Sequence, residues 1–216
     1  MKLNADLSQR VIIDSNQLPW VDSPSPGVQR RMLERDGDEI ARATTIVRFA
    51  PDSYFPSHSH GGGEEFLVLD GVFSDEHGDY GPGSYIRNPV GSKHTPHTKE
   101  GTTILVKLWQ MHPEDQTYVK IDTNSTPWQP GTVIGQYIMP LHTFGDEKVE
   151  LQSWQPGTFL EDWYLDGAEI FVIDGVLEDE SGRYQWHTWL RDGSDGSHSF
   201  KTQNGCLFYL KTGHLA

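Results

Sequence analysis

Three histidines and one glutamate carry the chemistry available to this sequence. His58 and His60 are one residue apart, so on a strand they share a face, because side chains alternate with a period of two. Glu64 has the same parity and can return to that face after a bend through Gly61-Gly62-Gly63. His94 follows after what reads as a hairpin excursion. Three imidazoles and a carboxylate that converge make a site for a divalent transition ion. A surface hairpin with exposed histidines is the bland alternative, and a lone His-x-His would not exclude it.

The whole pattern is more restrictive than its parts. His-x-His, three residues, Glu64, six residues and Gly71 are followed by Gly83, five residues, Pro89-x-Gly91, two residues and His94. This two-part pattern resembles the metal-binding signature of the cupin superfamily, with His58, His60, Glu64 and His94 on its four ligand positions. The flanking run HSHGGGEEFLVLDGVFSDE is similar to the ChrR-like cupins, which form the C-terminal half of certain zinc-dependent anti-sigma factors. One departure is Thr98, where the second motif often carries Asn.

The elements that must position these residues read as strands. Gly 22, Pro 13 and many β-branched and aromatic residues favour turns and strands over helices. Val11-Ile12-Ile13 and the Pro-rich passage after it predict an edge strand and a loop. Two strands are expected around Asp36-Gly37, the second carrying Ala43-Thr44-Thr45-Ile46-Val47. Asp75–Asp79 reads as a polar turn, and the apolar run Thr102–Leu108 as a buried strand. Residues 112–130 read as a connector.

The chain then repeats itself. At an offset of 104, residues 65–107 and 169–211 share 14 identities in 43 gapless pairs, far above chance, so the chain is a tandem duplication. The implied architecture is all-β: a bicupin of two small antiparallel β-barrels or jelly rolls, residues 1–115 with an intact site and 116–216 with a degenerate one. The same offset takes His58, His60 and Glu64 to Asp162, Tyr164 and Ala168. Only His94 keeps a like partner, His198, which is expected to be structural or to line a pocket. One metal ion per chain is therefore expected.

Other candidates are weaker. Glu65 competes with Glu64 but is kept where no ligand set exists, so it reads as structural. His97 either steers a ligand's second ring nitrogen or is an exposed turn residue. His77, His112, His142, His187 and His214 read as surface residues, the tryptophans as core and interface, and Cys206 as a packed thiol.

Three histidines and a carboxylate suit several ions. Zn2+ is the first expectation, with Fe2+, Mn2+ or Ni2+ as alternatives. Zn2+ would give a regulatory or ligand-sensing module, as the resemblance implies. Fe2+ would leave positions open for oxygen and a chelating substrate, as in a cofactor-free dioxygenase that cleaves diketones or thiols. The family's N-terminal helical zinc module has no room ahead of the first cupin strands, so sigma-factor binding in the family's manner is not expected. A net charge of −14 argues against nucleic acid and anionic membranes as partners. A small-molecule ligand and a homodimer remain open. A single cysteine, no apolar run of spanning length and no signal peptide point to the cytoplasm.

Overall fold

A computed structural model describes residues 1–164, 167–193 and 197–215 of the chain, with the side chain of Tyr164 outside that description. No α-helix occurs among the described residues; one 3-10 turn spans Ser15–Gln17. The chain forms two compact units, Met1–Ala5 with Pro19–Ser125, and Asp6–Leu18 with Thr126–Ala216.

In the first unit the main sheet runs Val28–Gly37, Ala41–Phe49, Thr102–Leu108, Glu64–Gly71, Ser84–Asn88, Val119–Asp122, each neighbour antiparallel. Glu64–Gly71 lies inside this sheet, paired on both sides, and its run of apolar residues is buried accordingly. A smaller sheet joins Phe73–Asp75, Gly78–Tyr80, His97–Thr98 and Ser53–Tyr54. Its strands put Phe73 and Tyr80 into a core with Phe49, Phe66, Ile86 and Ile104. Asp75, read as part of a polar turn, is instead the buried end of a strand.

The second unit repeats the strand order: Gln136–Phe144, Glu147–Trp154, Cys206–Thr212, Ala168–Asp179, Thr188–Asp192, Val11–Asp14. Its core is richer in aromatic side chains, with Trp154, Phe200 and Phe208 packed against half-buried Trp163.

The last strand of each sheet comes from the other repeat. Val119–Asp122 pairs with Ser84–Asn88, and Val11–Asp14 with Thr188–Asp192, in the same register. Asp122 and Asp14 each accept the amide N–H two residues on, from Asn124 and Asn16, and so end their strands alike. The supposed connector 112–130 is thus partly strand, because Ser84–Asn88 would otherwise leave an unpaired edge. Residues 6–18 and 116–125 are grouped in space with the repeat to which they do not belong in sequence.

Candidate metal centre

The pair of strands His58–Ser59 and Lys93–His94 sets His58 opposite His94. His60 follows, the chain turns at Gly63 with φ 76°, and Glu64 opens the next strand. One ring nitrogen or carboxylate oxygen from each of His58, His60, Glu64 and His94 lies within 4.8 Å of the others. His60 Nε2 is 3.3 Å from His58 Nε2 and 3.5 Å from Glu64 Oε2, and His94 Nε2 is 3.4 Å from the same oxygen.

The opposite ring nitrogens are all held from outside the cluster. His58 Nδ1 donates to the Pro56 carbonyl at 3.0 Å and His94 Nδ1 to Asp75 Oδ2 at 3.2 Å. Carbonyl and carboxylate oxygens only accept, so both rings carry their proton on Nδ1 and turn a lone pair inward at Nε2. His60 Nδ1 shares a hydrogen bond with Ser92 Oγ at 2.9 Å, and Asn88 Nδ2 donates to Glu64 Oε2 at 3.1 Å. His94 Nε2 is buried without a hydrogen-bond partner. Converging ring nitrogens and a carboxylate, with one buried nitrogen lacking a hydrogen-bond partner, are a donor set that fits a metal ion.

The electrostatics differ between the rings. Burial pushes the His60 pKa down, reinforced by the neighbouring imidazoles against the pull of Glu64. Burial also opposes protonation of His94, but the hydrogen bond to Asp75 and the charges of Glu64 and Asp75 outweigh it and hold its pKa above the ordinary value. Burial would raise the Asp75 pKa, but the hydrogen bonds from His94 and from the His77 amide bring it below the usual carboxylate range.

The cluster stands at the wall of a cavity of about 460 Å3 whose other sides are mostly apolar, among them Val47, Phe55, Ile104 and Val106. Trp109, with φ 58°, lies over the glycine run; a Cβ on Gly62 would sit 2.4 Å from its ring. That close approach is what the glycine permits.

All four predicted ligand residues come together, and the remaining expectations divide. Glu65 is bound by Arg87 at 2.5 Å in the buried sheet, the structural role expected of it. His97 is exposed and belongs to no ligand cluster. Thr98 takes a scaffold role: its hydroxyl donates to the Val72 carbonyl at 2.6 Å and accepts from Gly101. His214, read as a surface residue, has a buried side chain 3.0 Å from Glu169. Trp154 and Trp189 are core residues, whereas Trp109 and Trp186 are about half exposed. Asp75, Ser92 and Asn88 were not singled out in the sequence. Asp75 was signalled by its retention as Asp179 in the repeat, together with Tyr80 as Tyr184.

The second unit shows what replaced the site. Ala168 offers no donor and Asp162 is exposed. His198 is bound by Glu180 and, at 2.8 Å, by Asp192. The Arg10 guanidinium sits among them, donating to Asp179 and lying 3.3 Å from both Asp192 Oδ2 and His198 Nδ1. Asp179, Glu180 and His198 could themselves gather round an ion, but a fixed cation already neutralises them. Trp163, Phe200 and Phe208 stand where the first unit has Ser59, Pro96 and Ile104, all three of which line its cavity. The bulkier side chains pack into a core cluster there.

Two antiparallel barrels of the same strand order, one with a His3Glu cluster at its cavity, define a tandem cupin. Within that class the chain belongs to the family of the ChrR Cupin-like domain, matched twice, over residues 8–112 and 116–216. Among solved structures it is similar to a protein of Nostoc punctiforme proposed to be a dioxygenase, at 17% identity, covering 94% of this chain and 82% of that one, TM-score 0.76. It is also similar to a proposed glyoxylate-induced protein of Pseudomonas aeruginosa, at 13% identity, 94% and 87% coverage, TM-score 0.75. A third is the bacterial pirin YhhW of Escherichia coli in complex with nickel(II), at 12% identity, 94% and 98% coverage, TM-score 0.67. No curated protein sequence matches the chain significantly. Among the described residues no helix is long and apolar enough to cross a membrane.

Proposed function

We propose that the first unit holds one divalent metal ion through His58, His60, Glu64 and His94 and presents it to a small organic molecule in the adjoining cavity. The observation that carries this reading is the shared wall: His58, His60 and Glu64 of the four-residue cluster line a largely apolar cavity of about 460 Å3, a size typical of small-molecule sites. Asp75, Ser92 and the Pro56 carbonyl hold the rings in place, so the ligands are ordered before the ion arrives. Zn2+ is the favoured ion. It takes three imidazoles and a carboxylate as a closed four-coordinate set, which agrees with a regulatory role.

On this reading the chain acts as a metal-dependent, ligand-responsive regulatory protein. When bound, the metal supplies Lewis acidity towards an oxygen or sulfur donor of the ligand. The residues of the chain orient that ligand and exclude water: the apolar walls strip its solvent and Trp109 flanks the glycine turn beside the cluster. A second reading, a metal-dependent dioxygenase, draws on the same cavity, which has room for a substrate beside the ion. The test is elemental analysis of protein purified from its own host, followed by oxygen uptake of the Zn2+ and Fe2+ forms with diketones, thiols and enediols. One Zn2+ per chain and no oxygen uptake supports the sensor. Turnover by the Fe2+ form, lost in Glu64→Ala, selects the dioxygenase.

A further inference from the structure

The cavity beside the histidine cluster contains two arginines that nothing in the metal site uses. Arg30 and Arg35 both line it, on the strand Val28–Gly37. The Arg35 guanidinium donates to the Asp38 carbonyl, and Arg35 as a residue is only 5% exposed. Arg30 has one weak ion pair, 3.5 Å to the largely exposed Glu39, and its Nε is buried without a hydrogen-bond partner. Two guanidinium groups therefore line a largely apolar space, with the carboxylates of Glu39 and Asp38 close enough to act on them.

That arrangement is costly unless something else balances it, since cations are buried only when paired. Burial pushes the Arg35 pKa down and the nearby charge of Arg30 pushes it further, which outweighs the opposing charges of Glu39 and Asp38. The protein as a whole carries a net charge of −14, so this pair is a local reversal of sign inside an acidic molecule. The duplication supplies an internal comparison. Strand register places Ile138 opposite Gln152 as Arg30 is opposite Val47, and Thr143 opposite Lys148 as Arg35 is opposite Ala43. The repeat that lost its ligand residues and filled its interior has thus lost both arginines as well.

We propose that the cavity binds an apolar organic carboxylate, with its hydrocarbon body against Val47, Ile104 and Val106 and its carboxylate on Arg30 and Arg35. This deepens the metal-centre reading by naming the class of ligand that shares the cavity with the ion. Arg30 pairs with Val47 and through it with Ile104, four residues along the strand from Leu108, which pairs with Glu64. Four residues span about 13 Å, so Arg30 lies that far along the barrel from the ion, whereas Arg35, which pairs with Ala43 and through it with the same Leu108, is level with Glu64 and separated from it by the two intervening strands.

The probes are 4-phenylbutyrate and its neutral amide, titrated calorimetrically into the full-length chain, metal-loaded and chelator-treated, with metal content measured on the same samples. The expected result is at least about tenfold tighter binding of the acid, since charge-assisted contacts to guanidinium are the strong ones. Arg30→Met and Arg35→Met should each reduce that preference while leaving metal content unchanged, and Arg30→Lys should restore part of it. Equal affinity of acid and amide overturns the proposal. So does a preference that survives both Met variants or vanishes on chelation, because the carboxylate would then be bound by the metal. A chain that holds no metal in any sample would instead refute the metal-centre reading and leave the acid–amide comparison in chelator-treated protein as the test of this one.

Discussion

Asp75 Oδ2 accepts a hydrogen bond from His94 Nδ1, and the repeat counterpart of Asp75, Asp179, accepts instead from Arg10. One aspartate position thus serves an imidazole in one unit and a guanidinium in the other. In the first unit it fixes the tautomer that leaves His94 Nε2 free for a metal. Asp75→Asn is expected to weaken metal affinity about 10- to 100-fold while the barrel stays folded. Competition with a chromophoric chelator measures it, and an unchanged affinity would show that His94 needs no such partner.

His60→Ala should remove the bound metal, and His198→Ala should leave the stoichiometry at one ion per chain. Elemental analysis of the two variants separates them. Two tightly held ions in the unaltered chain would mean that Asp179, Glu180 and His198 bind despite Arg10.

Arg10→Met should destabilise the second unit by about 2–3 kcal/mol, less than the loss of a fully enclosed pair because Arg10 is partly exposed. Urea unfolding reads this directly. Metal content should not fall, since Arg10 belongs to the second unit.

The same pair gives a pH dependence. Burial would raise the Asp179 pKa, but hydrogen bonds from Tyr184, Arg10 and the Ser181 amide outweigh it and hold the pKa below its ordinary 3.8. A carboxylate depressed in the folded state binds fewer protons there than when unfolded, so its contribution is complete above pH 3.8 and is lost as pH falls through the folded value. Stability measured from pH 5 downward should decline less steeply in Asp179→Asn than in the unaltered chain.

Cys206 is packed against the core of the second unit and burial pushes its pKa up to about 12. Iodoacetamide at pH 8 should leave it unmodified in the folded protein and alkylate it fully in denaturant. Rapid labelling of the native chain would show that this core opens.

The four ligand residues could be read from the sequence because strand parity and glycine turns are local rules. His58, His60 and Glu64 are close in the chain, and His94 is brought across by a short strand pair. What could not be read were contacts made at a distance. Ser92 reaches His60 across 32 residues, and Arg10 reaches Asp179 across 169. The reading of Asp75–Asp79 as a turn between strands holds at Glu76–His77 but missed Asp75 for a related reason: polar residues mark a turn in water, but Asp75 is polar because it holds a buried histidine. His214 was misplaced in the same way, its polarity being matched by buried Glu169. The filling of the second cavity was legible only in retrospect, through the size of Trp163, Phe200 and Phe208.

The exchanged leading strands bear on how such a chain can be cut and how it arose. Val119–Asp122 completes the sheet that contains the metal ligands, yet it is encoded after the first repeat has ended. A fragment of residues 1–115 lacks that strand, while 19–125 keeps every strand of the sheet from Val28 to Asp122. The two repeats are related as the partners of a domain-swapped dimer whose chains have been fused end to end. In such a fusion one copy is free to lose its metal chemistry but not its leading strand, because that strand belongs to the architecture of its neighbour.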